Sequence, residues 1–222
     1  MRKLFVSVAA ICAAGCQPAE APAAAPAPVK SEGFSTLVVE PKTLTDLAAE
    51  ISAKTLTAEA ATQSYLDRIA AVDDAGPLLN AVLAINAAAI SDAKALDAAG
   101  ASKGPLHGVP ILLKDNIDTL DMPTTAGSMA LKNNATGRDS PLVARLRAAG
   151  AIILGKTNLS EWANFRSGSS TSGWSGVGGQ TKNPHVLDRN PCGSSSGSGS
   201  AVAAGLAAAA IGTETDGSII CP

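Results

Sequence analysis

The chain has 222 residues and a formal charge of −2, from 17 Lys and Arg against 19 Asp and Glu. With no basic run, it offers no electrostatic case for nucleic-acid binding. Twenty-one glycines and a 3% aromatic content point to an α/β core packed from small residues.

In chain order, the first element concerns targeting rather than fold. Arg2 and Lys3 precede an apolar stretch, Leu4 to Ala14, which ends in Ala13-Ala14-Gly15-Cys16. This resembles a lipobox, where a signal peptide (1–16) is cleaved and Cys16 becomes the lipidated first mature residue. Because Ala13 stands where leucine is usual, a signal peptide without lipidation is the alternative. Either form exports the protein, and lipidation would tie it to a membrane in the periplasm or cell envelope. Residues 17–33, rich in Ala and Pro, read as a stiff, solvated linker.

The predicted secondary structure then begins with two helices, Thr43 to Lys54 and Thr57 to Val72. Thr57 suits an N-cap, and Glu59 in the first turn complements the helix dipole. Asn80 to Asn86 reads as a strand, Ala87 to Ala99 as a helix closed by Gly100, and Leu106 to Lys114 as a mostly apolar strand. Ser140-Pro141 opens a further helix that Gly150 closes, an N-cap with an N1 proline and a glycine past the end. Ala151 to Gly155 follows as a buried strand. Ala201 to Ile211 reads as one small-residue helix or buried strand. This alternation indicates an α/β sheet covered by helices.

The chemistry gathers at the end of the chain. Cys192-Gly193-Ser194-Ser195-Ser196-Gly197-Ser198-Gly199-Ser200 has the composition of a flexible linker, but an apolar run follows it directly. A phosphate loop is a poor match, since no lysine stands beside these serines. A second glycine turn, Gly212-Thr-Glu-Thr-Asp-Gly-Ser218, places Ser218 24 residues beyond Ser194. A serine hydroxyl needs a base to become a nucleophile. His107 and His185 read as ordinary turn and surface histidines. Lys114, after an apolar strand, can serve as the base if burial keeps it neutral; otherwise it only marks a strand end in solvent. Backbone N–H groups of Thr215, Asp216 and Gly217 could converge on a developing negative charge, or form an ordinary Asp-Gly turn.

Three segments carry a family resemblance: Gly108-Val-Pro-x-x-x-Lys114-Asp-Asn116, Gly193-Ser-Ser195 within the serine/glycine run, and Gly212-x-x-x-x-Gly217-Ser-Ile219. The chain resembles the amidase signature family from about Thr43 onward. Leu154 to Arg166, Gly179 to Pro184 and Arg189 to Ser196 are most similar to the bacterial peptide amidases within it. The resemblance implies an α/β fold with a mixed β-sheet flanked by helices. It also implies a Ser, cis-Ser, Lys triad that hydrolyses carboxamides through an acyl-enzyme, with Ser218 as nucleophile, Ser194 as bridging serine after a cis peptide bond, and Lys114 as base. No metal or cofactor is implied, and the partner is a small-molecule or peptide amide, peptide C-terminal amides foremost. Cys192 and Ser196 depart from the common Gly-Gly-Ser-Ser-Gly-Gly pattern, as do Asp216 and Ile220 from theirs, which bears on substrate range.

Family members are longer, so residues 34–222 are expected to form only the N-terminal part of an amidase domain. The alternative readings are an A-type chain of an amidotransferase and an inactive, truncated peptide-binding lipoprotein. Cys192 and Cys221 flank the two serines; they read as two small buried thiols, or as a pair if the fold brings them together.

Overall fold

The computed structural model describes residues 42–222; the predicted signal segment, Cys16 and the predicted Ala/Pro linker lie outside the described residues. Helix α1 (Leu44–Ser52) opens at Thr43, whose hydroxyl accepts the Asp46 N–H at 3.1 Å. Helix α2 (Ala58–Arg68) opens at Thr57, which accepts the Ala60 N–H at 3.0 Å, and runs on into a π-helical turn over Ile69–Asp73. These hydroxyls satisfy N–H groups that the first helical turn leaves without partners.

Strand β1 (Val82–Ile85), helix α3 (Ala89–Asp97) and strand β2 (Pro110–Lys114) come next. Helix α4 (Pro141–Ala148) follows, with Ser140 accepting the Val143 N–H at 3.3 Å. Then come strands β3 (Ile152–Thr157), β4 (Trp174–Ser175) and β5 (Gly179–Gln180), helix α5 (Ser196–Ala203) and strand β6 (Ala210–Ile211). The main sheet has the order β1-β3-β2-β6, antiparallel between β1 and β3 and parallel elsewhere, while β4 and β5 form a separate hairpin.

Strands β2 and β3 are buried along their whole length, so successive side chains feed two cores. Leu112, Ile152 and Leu154 pack with Ala58, Ile69, Leu96, Ala201 and Leu206 on one side. Ile111, Leu113 and Ile153 pack with Leu47, Ile51 and Val143 on the other. Two-residue alternation therefore puts Lys114, the next position after Leu113, on the side that carries α5.

Two sequence expectations are corrected. The strand predicted from Leu106 starts only at Pro110, because Leu106 and Gly108 give their N–H groups to Ala149 and Gly150 carbonyls at 3.0 and 2.9 Å. Gly150 has φ +90°, and a Cβ there would lie 2.7 Å from the His107 Cα, so the loop after α4 can meet this turn only at glycine. The single element predicted for Ala201 to Ile211 is divided. Helix α5 begins inside the serine/glycine cluster and stops at Ala203, Gly205 turns the chain at φ +68°, and Ala210–Ile211 joins β2 as an edge strand. The cluster is helical because its helix presses on neighbouring backbone: a Cβ at Gly197 would come within 2.6 Å of Asn158 N and O. Small residues are present there for close approach rather than for flexibility.

Candidate active site

Lys114 is 0% exposed, at the C-terminal end of β2 beside Thr157 of β3. Its Nζ donates to Ser194 Oγ at 2.8 Å and to the Thr213 carbonyl at 3.1 Å. Burial pushes its pKa down to about 8, which brings the neutral amine within reach near neutral pH. Ser194 Oγ in turn donates to Ser218 Oγ at 3.0 Å. A lysine, a buried serine and a second serine thus form one hydrogen-bonded line across three separate segments.

Each member is held by its neighbours. The Gly193–Ser194 peptide bond is cis. The Ser194 carbonyl accepts the Ser160 N–H at 3.1 Å, and Ser160 Oγ accepts the Gly173 N–H at 2.9 Å. Ser195 Oγ exchanges bonds with Thr213, donating to its carbonyl at 3.1 Å and accepting its N–H at 3.2 Å. That exchange fixes the carbonyl on which Lys114 rests. Thr157 Oγ1 and Ser198 Oγ, 2.7 Å apart, join the end of β3 to α5.

Below Lys114 the chain turns through a second buried lysine. Lys156 Nζ reaches Asp115 at 3.4 Å, the Ile117 and Pro123 carbonyls at 2.8 and 3.1 Å, and Thr124 Oγ1 at 3.1 Å. Asp115 also receives the Thr125 N–H and hydroxyl. Burial pushes the Asp115 carboxyl up and the Lys156 ammonium down, and their attraction and hydrogen bonds oppose both shifts. This cluster closes the 115–126 loop against the base of the site.

The nucleophile turn is braced from within. The Glu214 carboxylate accepts the N–H groups of Gly217, Ile219 and Ile220 at 3.1, 2.6 and 3.0 Å. The bonds from Ile219 and Ile220 hold its carboxyl below the usual carboxylate range. Of the amides expected to face an oxyanion, that of Gly217 is therefore already given to Glu214. Those of Thr215, Asp216 and Ser218 have no hydrogen-bond partner among the described residues. His107, whose Nδ1 accepts the Lys103 N–H at 3.1 Å, and exposed His185 take no part in the line.

The cysteines correct a further expectation. Cys192 and Cys221 are joined in a disulfide, with Cα atoms 5.7 Å apart, and Cys221 is exposed rather than a buried thiol. The bridge exists because Ser195 N donates to the Ser218 carbonyl at 3.1 Å, which draws the two serine segments side by side.

Residues 60–222 match the Amidase family model. The chain belongs to the amidase family. It is 55% identical to the structure of the native peptide amidase from Stenotrophomonas maltophilia, with a TM-score of 0.80, covering 82% of this chain and 38% of that one. A probable amidase from Arabidopsis thaliana is 47% identical over 194 residues, 85% of this chain and 37% of the relative. The A-type chain of the glutamyl-tRNA(Gln) amidotransferase of Acidothermus cellulolyticus is 48% identical over 185 residues, 82% of this chain and 35% of the relative. The chain thus spans less than two fifths of the length of each. The mixed sheet flanked by helices is the fold expected from the resemblance.

Ser160, Thr213 and Glu214 were not singled out from the sequence. Glu214 lies inside the glycine turn that marked Ser218, and Ser160 inside the stretch Leu154 to Arg166 that resembles peptide amidases. Their roles depend on contacts between distant segments, which spacing alone does not reveal.

Proposed function

We propose that the full-length protein is an exported amidase that hydrolyses carboxamides, peptide C-terminal amides foremost, to acid and ammonia. The observation that carries this reading is the line from buried Lys114 through Ser194 to Ser218, at 2.8 and 3.0 Å. Neutral Lys114 takes a proton from Ser194 as Ser194 takes one from Ser218, and Ser218 Oγ attacks the carboxamide carbon. The oxyanion falls to backbone N–H groups of the Thr215 to Ser218 segment, chiefly those not already given to Glu214. The relay then returns a proton to the leaving nitrogen, ammonia departs, and water activated by the same line hydrolyses the acyl-enzyme.

The peptide preference rests on the 55% identity to a peptide amidase and on the segments around Trp162 and Cys192 that resemble it. Exposed aromatic surface is present there: Trp162 and Phe165 are 43% and 93% exposed, and Arg166 lies 5.5 Å over the Trp174 ring. Ammonia release from a dipeptide C-terminal amide is expected to exceed that from benzamide or propionamide by about tenfold or more in kcat/KM. A preference for the small amides would overturn the substrate class, and no ammonia from any amide would overturn the reaction. The amidotransferase reading draws on the 48% identity to such a chain, and ammonia released only in the presence of glutamyl-tRNA would favour it.

Export and anchoring follow from the N-terminal pattern. Cells fed a labelled fatty acid are expected to label the protein through Cys16, and Cys16→Ala to release it from membranes. Unlabelled, fully soluble wild-type protein would contradict the anchor.

A further inference from the structure

We propose that the Cys192–Cys221 disulfide is a positioning device for the reaction at Ser218, holding the nucleophile turn against the bridging serine. The proposal rests on the amidase reading above, because it assigns the disulfide a part in that reaction. Its basis is the way residues 214–221 are attached. Internal bonds give this turn its shape: Glu214 takes three of its N–H groups, and Cys221 N donates to the Gly217 carbonyl at 2.9 Å.

Its position against the bridging serine is fixed by separate ties. Among the described residues, two hydrogen bonds tie 214–221 to the rest of the molecule, Ser195 N to the Ser218 carbonyl at 3.1 Å and Ser194 Oγ to Ser218 Oγ at 3.0 Å. Both fall on Ser218, and one of them is the bond the chemistry must break and remake. The disulfide adds a covalent tie at the other end of the turn from Thr213, and its far end is well seated. Cys192 N donates to Asn190 Oδ1 at 2.9 Å, and the Cys192 carbonyl accepts Ser196 Oγ at 2.6 Å. The bridge leaves the chain two residues before Ser194 and three after Ser218, so it spans the hydrogen bond along which the proton travels.

Reduction by a dithiol delivers two electrons and two protons to the S–S bond, leaving two thiols and the reductant as its own disulfide. The turn then loses its hold at Cys221, so the Cys221 N–H bond to the Gly217 carbonyl and the two bonds at Ser218 loosen, and Ser218 Oγ drifts from Ser194 Oγ. Displacement of this kind affects the chemical step more than substrate binding, because proton relay depends steeply on distance.

The test uses the full-length protein, oxidised and reduced with dithiothreitol, with reduction verified by the mass of alkylated Cys192 and Cys221. Two readouts are taken: kcat and KM on a dipeptide amide, and hydrogen exchange at the Ser195 and Cys221 amides. Reduction is expected to lower kcat about 10- to 100-fold with KM little changed. It should also speed exchange at those two amides while β2 and β3 stay protected, and reoxidation should restore both. Cys192→Ser combined with Cys221→Ser should match the reduced enzyme and ignore dithiothreitol. Unchanged kcat in a protein shown to carry both alkylated thiols overturns the proposal, as does alkylation of both cysteines before reduction. A protein inactive in both states, whose exchange still responds at Ser195 and Cys221, keeps the clamp and overturns the amidase reading. Unchanged exchange in such a protein overturns the clamp as well.

Discussion

Ser218→Ala is expected to abolish ammonia release from peptide amides, lowering kcat by about 10⁴-fold or more, as loss of a covalent nucleophile does elsewhere. Labelling by a fluorophosphonate should disappear with it. The reason lies in the geometry: Ser218 Oγ is the end of the line from Lys114, 3.0 Å from Ser194 Oγ. Ser195 lies beside it, but its hydroxyl donates to the Thr213 carbonyl and accepts the Thr213 N–H. Substitution of Ser218 removes a hydroxyl from a partly exposed turn whose shape depends on Glu214, so the fold should be retained. Far-ultraviolet circular dichroism of the variant checks that the loss is chemical.

Lys114→Ala is expected to lower the rate by at least ~10²–10⁴-fold, the range for losing a general base. The pH profile supplies a second readout. Burial sets the Lys114 pKa at about 8, and the base must be neutral, so kcat/KM should fall as pH drops through that value and level off above it. Stability changes in the same direction. The folded-state pKa lies below that of an unfolded lysine, so the unfolded chain binds more protons between the two values. Raising the pH from about 8 towards the ordinary lysine value of 10.5 therefore favours the folded state as far as this group is concerned. Below both values Lys114 is charged in either state, and its burial penalty is then at its largest. A flat rate profile between pH 6 and 9 would remove Lys114 from the role of base.

Much of the frame could be read from the residues because local chemistry fixes it. Thr57 and Ser140 are helix caps in sequence and in structure, and the apolar run before Lys114 is a strand buried on both faces. The misreadings share one cause. That the helix predicted from Ala201 already starts at Ser196 depends on how near Asn158 and Ala81 come to Gly197, and whether Cys192 finds Cys221 depends on where the Ser218 turn lands. Both are contacts between distant segments. Glu214 was hidden for another reason: in sequence it is one acidic residue in a polar turn, and only the fold of that turn points three amides at its carboxylate.

The central claim is that Ser218 carries the acyl group during turnover. The most direct measurement is mass spectrometry of the full-length protein quenched in acid during reaction with a slowly released peptide ester, followed by proteolysis and fragmentation. The account predicts an acyl adduct on Ser218 that decays as product forms. An adduct on Ser194, on Ser195 or on any other residue, or turnover with no adduct in a trapping time course, would contradict it.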